Sequence, residues 1–194
     1  MADITLSSGS ICEPHRSAWG GFPTRSFGVS TGVSSAAIYV GSIMTMDNDD
    51  VVAQTSNASQ VQASTGTAAA ALFYLAGISA QAVSGSTAVR DTACTVWECH
   101  PDVEFRAATK GGTLESSHVC MTKKLTWDST LNIAYVQLGA STAAEHRVLI
   151  TGLIDAIGDS GGYVSFRFLR GLTGNIQGTT STYNSSTPLL AFYR

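Results

Sequence analysis

Charge is what this sequence has least of. Asp, Glu, Lys and Arg make up 13% of the residues, against roughly 25% in an ordinary globular domain. The shortage is uneven, because no charged side chain occurs across residues 51–89 or across residues 171–193. Lysine is confined to Lys110, Lys123 and Lys124, and the net charge is −3 with a pI near 5.7. That balance argues against a nucleic-acid coat and against an anionic membrane surface as partner. The longest apolar run, residues 68–76, is too short to cross a bilayer. Met1-Ala2-Asp3-Ile4-Thr5-Leu6 holds neither a basic nor an apolar signal-peptide region, so synthesis in a cytoplasm is expected. No phosphate-binding loop, paired-carboxylate cleft or basic aromatic patch appears.

Four cysteines stand at positions 12, 94, 99 and 120. Without a secretory context, and with spacings that fit no common disulfide framework, they read as free, partly buried thiols. Hydrophobic residues reach 44%, enough for a folded core. Ser, Thr, Gln, Asn and Gly fill the uncharged stretches. A surface of short polar groups is dried at modest cost, whereas an unpaired charge is not, so such stretches suit packing against neighbours.

The pattern along the chain is that of strands. Residues 37–40 and 43–46 are apolar and β-rich, Asp47-Asn48-Asp49-Asp50 makes a turn, and Val51-Val52-Ala53 returns. Asn and Asp tolerate turn dihedrals, so this reads as a hairpin. Residues 68–78 combine a run of four alanines at 68–71, which favours helix, with Leu72-Phe73-Tyr74-Leu75, which suits a buried strand; periodicity leaves both open. Val96, Glu98 and His100 share one face of a strand, with Trp97 and Cys99 on the other. After Pro101, Val103, Phe105 and Ala107 alternate with Glu104 and Arg106, a half-buried strand. Further strands are expected over 131–138, 147–154 and 163–169. In the last, Val164, Phe166 and Phe168 alternate with Tyr163, Ser165 and Arg167. No segment carries a long amphipathic helical stripe. The expected fold is all-β, a single β-barrel or β-sandwich-like domain over residues 35–170.

Two flanking segments lack period. Residues 1–34, rich in Gly, Ser and Thr, carry Trp19, Phe22 and Phe27 and read as an extended N-terminal arm. Residues 171–194 form a linker and docking tail that closes on Phe192 and Tyr193. Aromatic rings spaced along a tether are expected where the tether lies on another surface. Whether these five residues dock on their own domain or on a neighbour stays open at this level, and docking on neighbouring chains is the expectation.

Several strings invite a chemical reading. Gly158-Asp159-Ser160-Gly161-Gly162 equals the nucleophile motif of trypsin-like proteases, and Ala143-Ala144-Glu145-His146 lies near the histidine motif. However, His146 falls just before Ser160, where most of two barrels should intervene. A glycine-rich turn between strands accounts for the string more simply. Cys94, Cys99, His100 and Cys120 lack paired zinc-knuckle spacing. The acidic string at 47–50 lacks the glycine and the distal glutamate of a calcium loop. Glu98 and Glu104 read as surface residues. No catalytic residue, cofactor or metal is expected.

The order of the pieces resembles that of the head decoration proteins of tailed bacteriophages. The likeness runs over residues 37–170. It is carried by Met44-Thr45-Met46 with the acidic turn and Val51-Val52-Ala53, by Leu72-Phe73-Tyr74-Leu75-Ala76-Gly77, by residues 96–107 around Pro101 and Phe105, and by Val148-Leu149-Ile150-Thr151-Gly152-Leu153 leading to Tyr163-Val164-Ser165-Phe166. The family more often has an Asn-containing final turn, where this chain has Gly-Asp-Ser-Gly-Gly. The resemblance implies a structural protein on the exterior of the capsid in the virion. Copies would bind the major capsid protein, bridging neighbouring subunits, with no role for nucleic acid or membrane. Shell symmetry axes favour self-association as a homodimer or homotrimer. The alternative is a carbohydrate-binding or adhesin-like β-domain of a head fibre or tail module, in which Trp19, Trp97 and Trp127 stack on sugar rings.

Overall fold

The computed structural model describes residues 11–18, 20–29, 38–46, 51–54, 74–83, 93–100, 102–128, 130–141 and 146–169. These form eleven strands: β1 (Glu13–Ser17), β2 (Thr24–Val29), β3 (Ile43–Met46), β4 (Val51–Gln54), β5 (Tyr74–Ser79), β6 (Ala93–Glu98), β7 (Val103–Lys110), β8 (Thr122–Asp128), β9 (Ile133–Gln137), β10 (Val148–Leu153) and β11 (Tyr163–Phe168). A 3-10 turn at Ser116–His118 is the one helical element among the described residues. The all-β expectation holds.

The strands close into two rings. The first runs β2-β4-β3-β5-β6 and back to β2. The second runs β7-β9-β8-β10-β11 and back to β7, with β1 added alongside. Each ring closes through one parallel pair, β2 with β4 and β7 with β9, while every other pair is antiparallel. Matching β2–β6 to β7–β11 in chain order, the two rings have the same strand order and the same parallel seam. The β-barrel character expected over residues 35–170 holds, and the strands form two rings of one topology. Closing each sheet on itself removes the open edges that a flat sheet would leave.

Part of the segment expected as an N-terminal arm is strand. β1 pairs antiparallel with β7, and β2 is a full member of the first ring. β1 and β9 share one edge of β7: β1 takes Val103–Arg106 and β9 takes Ala108–Lys110, while β11 holds the opposite edge. Pro14 is tolerated here because β1 ends the sheet order, and the register shifts between Pro14 and Arg16. Edge positions and bulges are where a residue without an N–H can sit.

Side-chain alternation divides the core. Phe27, Val29, Met44, Ala76, Cys94 and Val96 fill the first barrel. Their strand neighbours Ile43 and Leu75 point the other way and join the larger cluster of the second barrel, as the period of two requires; Ile78 joins it too, beyond the register shift between β3 and β5. At the centre of that cluster Phe105, Phe166 and Phe168 meet. Phe105 and Phe168 stand edge to face at 5.1 Å, as do Phe166 and Phe168 at 5.5 Å. Such offset arrangements favour the ring quadrupoles. Lys123 takes an inward position on β8, nearly buried, with Nζ donating to the Leu138 carbonyl at 2.8 Å.

Candidate interaction surfaces

The chain passes between β1 and the first barrel through residues 18–23, and returns to the second barrel through residues 99–102. The two crossings lie side by side. The Ala18 N–H donates to the Asp102 carbonyl, and the Glu98 N–H donates to the Pro23 carbonyl at 3.0 Å. Next to them lies an open groove of about 290 Å³, lined by Arg16, Ser17, Ala18, Asp102, Glu104 and Arg167. Its charges are largely matched. Arg167 donates through Nε and Nη2 to Glu104 Oε1 at 3.2 and 3.0 Å, and the His100 ring lies 3.7 Å from the Asp102 carboxylate. Phe22, on the same crossing loop, is 42% exposed.

Of the five aromatic residues expected to dock on neighbours, Phe22 and Phe27 are among the described residues, and they are placed differently. Trp19, Phe192 and Tyr193 lie outside the described residues. Phe27 points into the first barrel, where it is buried among Val29, Met44 and Val96, with the Arg25 guanidinium 5.3 Å from its ring. Its use by its own domain corrects the expectation for that residue. Phe22 alone of the described pair stays open to solvent. The indoles proposed for sugar stacking are differently placed: Trp127 is buried, with the Tyr39 ring at 6.4 Å, and Trp97 packs against the main cluster.

The outward face of the second barrel neutralises itself. Arg106 pairs with Glu13 across β1 and β7, with Nε to Oε1 at 2.8 Å, and its guanidinium lies 5.8 Å from the Tyr163 ring. Lys110 Nζ donates to Asp128 Oδ2 at 2.8 Å and lies 5.4 Å from the Tyr135 ring. The hydrogen bond from Lys110 holds the Asp128 carboxyl below its usual range, and the same bond raises the Lys110 ammonium.

The protease-like string is a turn from β10 to β11. Gly158 and Gly161 adopt φ of +95° and +76°, values that suit residues without Cβ. Ser160 forms a β-bridge with Thr113. His146 bonds Thr122 Oγ1 through Nδ1 at 2.8 Å and Ser141 Oγ through Nε2 at 3.0 Å, so both ring nitrogens are engaged away from Ser160. Cys94 lies in the first barrel's core, Cys99 in the larger cluster, and Cys120 is exposed; the Cys/His set does not converge. Burial pushes the Cys12, Cys94 and Cys99 thiols above their ordinary range.

One feature was not read from sequence. At the end of the second barrel Ile154 is 38% exposed, Ile157 is 60% exposed and Met121 is 44% exposed. In the sequence Ile157 stands between Ala156 and Gly158, outside the strand alternation. The loops that carry these residues are bonded to each other, with Gly158 N–H donating to the Leu114 carbonyl at 2.8 Å and Leu114 N–H to the Asp159 carbonyl at 2.9 Å.

The chain matches no protein-family model, and no curated protein matches it.

Proposed function

We propose that the chain is a structural virion protein that binds the outer surface of a bacteriophage capsid and cements neighbouring major capsid subunits. The observation that carries this reading is the presence of two barrels with one strand order in a single chain. A shell presents the same subunit repeatedly, so a protein that bridges two of its copies is well served by two comparable ends. Two modest attachments on one chain also reinforce each other through effective concentration, without a single dominant contact.

The charge distribution supports the same reading. The outward ions on the second barrel are matched within the chain, as Glu13 with Arg106, Glu104 with Arg167 and Lys110 with Asp128. A partner that covers this face dehydrates few unpaired charges. The order of strands and turns that resembles head decoration proteins supports it independently. Self-association as a homodimer or homotrimer belongs to the same proposal, since decorating proteins gather on shell symmetry axes.

The test is the composition of purified virions. Quantitative mass spectrometry should find the chain in high copy number, and proteolysis of intact particles should reach it before the major capsid protein. Absence from the particle ends the reading.

A further inference from the structure

Ile157 is the most exposed of the large hydrophobic residues described. It occupies the turn between β10 and β11, with Ile154 three residues earlier also open to solvent. A single exposed aliphatic side chain is ordinary. What distinguishes this one is how firmly its backbone is held. Asp155 Oδ2 accepts the Tyr163 N–H at 2.7 Å, and Asp159 Oδ2 accepts the Ala156 N–H at 3.1 Å. The Asp159 N–H returns to the Ala156 carbonyl at 3.2 Å, and Gly158 and the Asp159 carbonyl are both bonded to Leu114 on the facing loop. A turn fixed from both sides loses little conformational entropy when its tip is buried by a partner, which is the condition for efficient binding.

The two segments that form this end carry one sign of charge. Residues 111–122 and 149–166 contain Glu115, Asp155 and Asp159 and no Lys or Arg. Two copies of this tip brought face to face would set acid against acid, which disfavours self-association through it. The complementary surface is an apolar socket with a basic rim.

We infer that the β10–β11 turn is a docking knob, with Ile157 seated in an apolar socket ringed by lysine or arginine on the major capsid subunit. This rests on the capsid reading above and names the contact it uses. Ile157 anchors, Ile154 widens the apolar footprint, and the acidic collar sets orientation and association rate.

The experiment uses the full chain and decoration-free capsids of the virus that encodes it. Wild type, Ile157→Asp, Ile157→Ser and Glu115→Gln are compared by co-sedimentation over a range of salt, with thermal unfolding of each variant measured alongside. Ile157→Asp should melt as wild type does and bind at least about tenfold more weakly, as loss of an interface anchor does. Ile157→Ser should show the same direction if the aspartate variant folds poorly. Glu115→Gln should flatten the salt dependence of binding. If wild type binds and both Ile157 variants bind within about twofold of it, the knob is wrong and the capsid reading stands. If wild type itself does not bind, the capsid reading falls and the knob with it. If light scattering shows wild-type oligomers that Ile157→Asp dissociates, the occupant is a second copy and the inference is overturned.

Discussion

Gly77 on β5 faces the backbone of Trp97 on β6 so closely that a Cβ there would clash with the Trp97 carbonyl oxygen and lie 2.7 Å from Val96 Cγ1. Its φ of +155° is one that side chains rarely adopt. Gly152 lies in β10, the counterpart of β5 in the second barrel, yet a Cβ there meets only Ser165 Oγ at 3.1 Å. Gly77→Ala should therefore cost about 3 kcal/mol or more, through backbone strain and overpacking. Gly152→Ala should cost about 1 kcal/mol or less, because a hydroxyl can rotate aside. Chemical denaturation of the two variants separates them; equal losses would mean the close approach at Gly77 is misplaced.

Asp128 serves two purposes that substitution can divide. Its Oδ2 accepts from Lys110, while Oδ1 accepts the N–H groups of Thr130 at 2.9 Å and Leu131 at 3.1 Å. Asp128→Asn keeps a turn acceptor and loses the ion pair, at a cost of about 0.2–1 kcal/mol. Asp128→Ala loses both, adding about 1 kcal/mol. Because the folded carboxyl is held low, the pair's stability is present above the ordinary aspartate range and fades as pH falls through the lowered folded value. Lys110 is raised, so its share persists up to the ordinary lysine range and fades above it. The acid limb of a stability–pH curve should be shallower in Asp128→Asn than in wild type.

The thiols should divide one to three. Cys120 is exposed, whereas Cys12, Cys94 and Cys99 are buried, and burial disfavours their thiolates. Since the thiolate is the reactive form, a native protein under nondenaturing conditions should release one equivalent of thiol rapidly to a disulfide reagent. Unfolding in denaturant should release all four. Rapid reaction of two or more in the native state would contradict the described burial.

Deleting residues 1–34 removes β1 and β2, and with them the closure of the first ring and half of one edge of β7. That variant should lose cooperative unfolding altogether. Deleting residues 1–10 leaves both strands in place, and it should melt close to the full chain. A folded, cooperatively melting 1–34 deletion would mean that β1 and β2 are dispensable to the barrels.

Alternation was the legible part of the fold. Val103, Phe105 and Ala107 are buried while Glu104 and Arg106 are only partly so, as the pattern requires. Met44, Thr45 and Met46 pair with Gln54, Ala53 and Val52, the expected hairpin. Residues 68–78 resolve in part as strand, because Tyr74–Ser79 pairs with both β3 and β6. Ser165 breaks the expected alternation in β11: it is buried, and its hydroxyl receives Thr151 Oγ1 at 3.1 Å. β8 escaped because Lys123 occupies an inward place, where apolar patterning looks for an aliphatic residue. β1 and β2 escaped because Pro14, Arg16 and Arg25 interrupt their apolar pattern. The doubled barrel was invisible for a deeper reason. Strand order is set by which edges pair across long separations, and side-chain periodicity carries no record of that. The exposed tip at Ile157 was missed because a lone apolar residue in a turn gains meaning only once its exposure and the bonds fixing its backbone are known.

The most direct measurement is an image reconstruction of the virion. Density for two small barrels is expected outside the shell floor, each touching a different major capsid subunit, with the β10–β11 turn of the second barrel at the contact. Density for the chain on the inner face of the shell, in the tail, or nowhere on the particle would contradict it.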